Sequence, residues 1–187
     1  MQAQPSVIAT GDFLYFAPAG QAFTIPGAGT VSATAKPDPT DPIWTTFALG
    51  TVKKPTQDKI ASKEIKIISP LPGTGVLSTR KIIRPQHELT MEAEMNEISR
   101  LALAGFYKSG LIQLADTSFH ALASSVSLEG WLKRQRYDAS LSTGTPWIVD
   151  DWYVDLNCTD ITASEPNLLT PKFLFTWLYS SLQGSAI

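Results

Sequence analysis

Polar and apolar residues alternate along several stretches of this chain, and at one point the period changes without a break. From Gln86 to Met95 (QHELTMEAEM), Leu89, Met91, Ala93 and Met95 fall on one side and Glu88, Thr90, Glu92 and Glu94 on the other. That is the period of two of a half-buried strand. At Asn96 the spacing becomes helical, with Ile98, Leu101, Ala102 and Gly105 recurring on one face. Asn96 has the side chain of an N-cap, Glu97 places a negative charge in the first turn, and Gly105 can stop the helix. The pattern predicts a strand joined directly to one α-helix over 96–105.

The rest of the chain reads mainly as β. Residues 12–25 (DFLYFAPAGQAFTI) predict a short hairpin around APAGQ. Residues 26–42 (PGAGTVSATAKPDPTDP) hold Pro37, Pro39 and Pro42, which cannot sit inside a helix or a central strand, so a loose arm or loop is expected. WTTFALGTV (44–52) reads as a strand and KKPTQDK as a polar turn. KEIKII (63–68) and VLSTRKIIRPQ flank PLPGTG (70–75), which predicts a long hairpin with a Gly/Pro tip. Further strands are expected from the SSVSLEGWLKRQRYD region to about Tyr137, over Ile148–Cys158, and over PKFLFTWLYSSL. In Ile148–Cys158, Trp152, Val154, Leu156 and Cys158 alternate with Asp151, Tyr153, Asp155 and Asn157. In the last strand Phe173, Phe175, Trp177 and Tyr179 share one side. Roughly seven to nine strands and one helix are expected, with no internal repeat.

At 187 residues the chain is long enough for a single domain with a real core. Charged residues make up 17% and apolar residues 43%, which fits an all-β protein or one that hides surface in an assembly. The net charge of −2 gives no general attraction to nucleic acid or membrane. Cys158 is the only cysteine, so no intrachain disulfide can form, and a small buried apolar role is expected. MQAQPSVIATGDF has no basic region followed by an apolar run, so no signal peptide is expected. No stretch approaches the ~18 apolar residues of a membrane span.

Catalytic patterns are missing from the sequence. There is no G-x-S-x-G elbow and no Walker or dinucleotide glycine motif. His87 and His120 are far apart and far from Cys158, which makes a poor zinc site. Leu71–Gly75 spells L-P-x-T-G, but mid-chain, without the apolar segment and basic tail that a sorting signal needs, and Asn157-Cys158-Thr159 carries no weight without a secretory route. Glu88, Glu92 and Glu94 form one set of carboxylates, and Asp150, Asp151 and Asp155 another. Repetition along a strand face suggests a charged surface rather than two acids facing each other across a sugar site. Lys133, Arg134 and Arg136 with Trp131 and Tyr137 form the one basic-aromatic cluster. Such a cluster can hold single-stranded nucleic acid, or its cations can meet acids on a neighbouring subunit. No catalytic residue, metal or cofactor is expected.

In arrangement, the chain resembles the major tail tube proteins of long-tailed bacteriophages. The resemblance rests on Gly11-Asp12-Phe13-Leu14-Tyr15, Trp44…Leu49-Gly50 after a loose arm, the KEIKIISPLPGTGVLSTRKII hairpin and the ELTMEAEMNEISRLALAGFY strand-to-helix unit. It implies a β-sandwich or barrel-like domain flanked by a helix, with extended loops. Six copies would close a ring, and stacked rings would form a tube through which DNA passes without specific binding. It also implies a virion protein, made in the host cytoplasm, with other tail proteins at the tube ends. Alternation then suggests Glu88, Glu92, Glu94, Asp151 and Asp155 as lumen-facing residues that repel DNA. Pro37, Pro39, Leu71, Pro72, Lys133, Arg134 and Arg136 are the expected inter-subunit contacts. Another β-type virion component (a tail terminator, head–tail connector or capsid decoration protein) or a carbohydrate-binding β-sandwich fits the same composition.

Overall fold

A computed structural model describes residues 9–54, 56–70, 77–107, 128–138, 146, 148–165 and 168–182. The fold is mainly β, as the alternation predicts. The strands are β1 (Ala9–Pro18), β2 (Ala22–Phe23), β3 (Gly29–Thr30), β4 (Ala48–Thr51), β5 (Gln57–Pro70), β6 (Leu77–Glu94), β7 (Leu128–Asp138), β8 (Ile148–Glu165) and β9 (Leu168–Trp177). Two helices are described, α1 (Ile43–Thr46) and α2 (Arg100–Tyr107). Seven strands form one antiparallel sheet in the order β4-β1-β7-β8-β9-β6-β5, and β2 pairs with β3.

The period of two places the main core on one face of this sheet. Leu14 and Phe16 on β1, Met91 and Ala93 on β6, Leu132 on β7, Val154, Leu156 and Cys158 on β8, and Phe173 and Phe175 on β9 are all buried together. The sheet curls around them, and its two ends touch at a bridge between Val52 and Met95. There the Lys53 N–H donates to the Glu94 carbonyl at 2.7 Å and the Asn96 N–H to the Thr51 carbonyl at 2.9 Å. Helix α2 lies against β8, where a Cβ on Gly105 would stand 3.1 Å from Leu156 Cδ2. The close approach of helix and strand therefore explains this glycine, which lies inside the helix and does not end it.

The helix begins later than the periodicity predicts. Its cap is Ser99, whose Oγ accepts from the Ala102 N–H at 3.1 Å. Asn96 is taken up by the sheet closure and donates from Nδ2 to Thr51 Oγ1 at 3.3 Å. Residues 96–99 therefore separate strand from helix, and Ile98 is 40% exposed rather than part of the core.

The opposite face of the sheet is also covered. Ala17, Trp131 and Tyr153 lie in one register row across β1, β7 and β8. Above them sit Phe23, Val31, Ile43 and Trp44 from residues 19–47, which we call the strap. The hairpin expected over 12–25 does not form, because β1 pairs with β4 and β7 while Ala22 and Phe23 pair with Thr30 and Gly29. Trp44 belongs to α1 rather than to a strand, and the supposed polar turn at 53–59 already enters β5 at Gln57.

The long hairpin is present. β5 and β6 pair from Gln57↔Glu92 to Pro70↔Leu77, and the expected tip, with Leu71 and Pro72, lies outside the described residues. β6 pairs with β9 only from Thr90 to Glu94. Beyond that point β5 and β6 have only each other among the described strands, and they form a two-stranded arm about 35 Å long at ~3.3 Å per residue.

Candidate functional site

The acidic residues singled out by alternation do lie on the outer face of the sheet, but they are interleaved with lysines. Glu92 is exposed and pairs with Lys59 at 2.7 Å, and Glu94 pairs with Lys53 at 3.2 Å. A cleft of about 410 Å³ runs between Lys54, Lys59, Glu92, Glu94, Lys172 and Phe173. Glu88 is exposed at the root of the arm. On β8, Asp151 is held by Lys36 of the strap at 3.0 Å. Asp155 is half-buried and stands opposite Glu129 on β7 and Thr176 on β9. Leu174 and Thr176 of β9 separate the β6 acids from those of β8. The face is one of mixed charge, not a continuous acidic wall. Nearby, Tyr153 donates to Glu129 Oε2 at 3.2 Å, and burial together with that carboxylate pushes its phenol up to about 12.

The basic cluster on β7 is mostly internal, which corrects the expectation that it meets a neighbouring subunit. Lys133 is 4% and Arg134 3% exposed. Lys133 lies over the rings of Tyr15 and Trp44, 4.6 Å from each centroid, and donates to the Pro39 carbonyl at 3.0 Å. Burial lowers its pKa, and Asp151 and Asp38 offset part of that. Arg134 points to the other face. It forks onto Asp150 at 3.1 and 2.8 Å and onto Asp58 at 2.9 and 3.2 Å. It also donates to Thr56 Oγ1 at 2.9 Å and stacks on Trp152 with its Cζ 4.7 Å from the ring centroid. Burial alone disfavours this cation, yet the hydrogen bonds to Asp150 and Asp58 raise its pKa above the ordinary value.

Arg136, partly exposed, holds the wholly buried Asp12 at 2.9 Å. Burial acts to raise the Asp12 carboxyl, but hydrogen bonds from Arg136 and Thr56 outweigh it, and the pKa falls below the usual value. Two guanidiniums and three carboxylates thus join β1, β5, β7 and β8 where the arm leaves the sheet.

Residues 26–42 are tied down rather than loose. Asp41 is the centre of the tether: its carboxylate accepts the N–H groups of Thr24 at 2.7 Å, Ile25 at 2.7 Å and Ile43 at 2.8 Å. Trp131 Nε1 donates to the Ser32 carbonyl, Trp44 Nε1 to that of Asp38 and Ser180 Oγ to that of Ala33. Pro37 is buried within the subunit, so it is not a surface contact, whereas Pro39 is exposed.

Asp12, Asp41 and Asp58 organise these contacts, and sequence reasoning passed over all three. Asp41-Pro42-Ile43 ahead of a short helix is a capping signature that could have revealed one of them. Asp58 gave no local signal. Among the described residues no group of three or more His, Cys, Asp or Glu is placed to hold a metal. Nor is any described helix long and apolar enough to cross a membrane. The His87 side chain and His120 lie outside the described residues. No protein-family model matches the chain, and no curated protein matches it.

Proposed function

We propose that this chain is a structural subunit that assembles with copies of itself into stacked rings, six copies to a ring, forming a tube of the phage tail type. The observation that carries the proposal is the β5–β6 arm. A two-stranded ribbon is marginal in water by itself, and among the described strands neither of its outer edges has a partner. Ile60, at the root of the arm, is 74% exposed. Such an arm gains its stability from a second body, and a neighbouring copy supplies one wherever subunits repeat. The curled sheet, whose ends meet at Val52 and Met95, accords with a barrel-like subunit.

In this assembly the outer face with Glu88, Glu92, Glu94, Asp151 and Asp155 borders the channel, and DNA passes without specific binding. The lysines paired with Glu92, Glu94 and Asp151 weaken repulsion as an argument, so the arm carries the proposal and the charge does not. Other tail proteins would meet the tube ends, and the location would be the virion.

Negative-stain images of the purified protein test this. Hollow tubes of stacked rings are expected. Closed single rings would point instead to a terminator or connector, and monodisperse monomers at high concentration would overturn assembly altogether.

A further inference from the structure

We propose that Arg134 is a positioning residue for the arm: its buried guanidinium clamps the first residues of β5 to the body and so fixes the direction in which the arm leaves the sheet. The backbone leaves that direction weakly determined. β5 has no strand neighbour but β6 among the described strands, and β6 joins the body at its last few residues, through Thr90–Glu94 on β9 and the Lys53 N–H on the Glu94 carbonyl. A ladder on a single strand allows twist and bend about its own line. At an arm length of about 35 Å, a tilt of about 10° at the base moves the far end by about 6 Å.

Arg134 supplies a further, side-chain attachment off that line. It sits on β7, two strands beyond β9, and reaches across the curled sheet to Asp58 and Thr56 on the arm side. It is itself held from the body side by Asp150 and the Trp152 ring. A guanidinium forked onto two carboxylates is fixed in its plane as well as its position. Arg136 adds a parallel bond from Nη2 to the Thr56 carbonyl at 3.3 Å. Asp58 side-chain exposure is 39%, so the arm-side bond can be cut without opening the core.

The clamp belongs to one subunit and holds whether or not the arm meets a second copy. Nitroxide labels on cysteines introduced at Lys66 on the arm and Thr45 on the body, in a Cys158→Ala background, report the arm's direction. Dilution with unlabelled protein restricts the measured distance to one subunit. The parent is expected to give one narrow distance distribution, and Asp58→Ala one at least about twofold broader. Lys59→Ala, which removes an ion pair within the hairpin itself, should leave the width unchanged.

An unchanged width in Asp58→Ala, or equal broadening in Lys59→Ala, would overturn the clamp. Near-ultraviolet circular dichroism checks the fold of each variant. If Asp58→Ala does not fold, Asp58→Asn is measured in its place, and its failure to fold would equally overturn an attachment separable from the core. Tubes with an unchanged width would sink the clamp alone, and broadening without tubes would sink only the assembly.

Discussion

Arg136 on β7 and Asp12 on β1 meet at 2.9 Å, and the Asp12 side chain has no exposed surface. Its second oxygen accepts the Thr56 N–H at 2.8 Å and the Thr56 hydroxyl. Replacing Asp12 by Ala strands the buried Thr56 donors and leaves the half-buried Arg136 without its partner, and should cost about 3 kcal/mol in urea denaturation.

The same carboxylate gives a pH signature. Its folded pKa lies below its unfolded value, so its contribution is complete above the unfolded value and is lost as pH falls through the folded one. Stability measured from pH 7 down to pH 3 should therefore fall more steeply in the wild type than in Asp12→Ala. Parallel curves would rule out this role.

Lys133 behaves in the opposite sense. Burial lowers its folded pKa, so the unfolded chain binds more protons between the two values and stability rises with pH there. Lys133→Met keeps the volume against Tyr15 and Trp44 and removes the buried charge, so at neutral pH its stability should stay within about 1 kcal/mol of wild type. Lys133→Ala opens a gap under the strap and should cost about 2 kcal/mol. Thermal melts at neutral and alkaline pH would show Lys133→Met losing ground to wild type as pH rises.

Asp41→Ala should loosen the strap. The Thr24, Ile25 and Ile43 amides lose their acceptor together, at about 1 kcal/mol each. Hydrogen exchange resolved by residue should show those amides exchanging at least about tenfold faster, while the β7 and β8 amides hold their rates.

Gly130→Ala should prevent folding or cost more than about 3 kcal/mol, because a Cβ there would collide with the Ala17 carbonyl and the Phe16 ring across the β1–β7 ladder. Gly11→Ala has nothing within 4 Å of the added atom and serves as the control. Comparable soluble yields and melting temperatures for the two would refute the packing argument.

Much of the fold could be read in the sequence where burial follows a local period. Val154, Leu156 and Cys158 on β8 and Phe173 and Phe175 on β9 alternate and are all buried. The Gly/Pro stretch at 70–75 marked the hairpin because turn chemistry is also local. The misreadings share a cause. Charge marked Lys133 and Arg134 as surface residues, but their partners lie far away in the chain, at Tyr15, Trp44, Asp58 and Asp150. Pro37, Pro39 and Pro42 lie outside the described strands and helices, but the prolines of 26–42 could reveal neither the short pairing of β3 nor the tethers made by Trp131 and Ser180. Asn96 was the expected cap, but it bonds Thr51, which comes before the hairpin, and Ser99 caps the helix instead.

The order of strands has a consequence for how the molecule forms. Phe13 pairs with Gln135, more than a hundred positions later, and Val52 meets Met95 only after the whole β5–β6 hairpin has been made. While the chain grows, β1 has, among the described strands, only β4 to pair with, and its other edge waits for β7. Non-local pairing of this kind folds slowly and leaves sticky edges exposed in the meantime. The hairpin needs no distant partner for its own ladder, and it is the first large piece able to form on emerging from the ribosome.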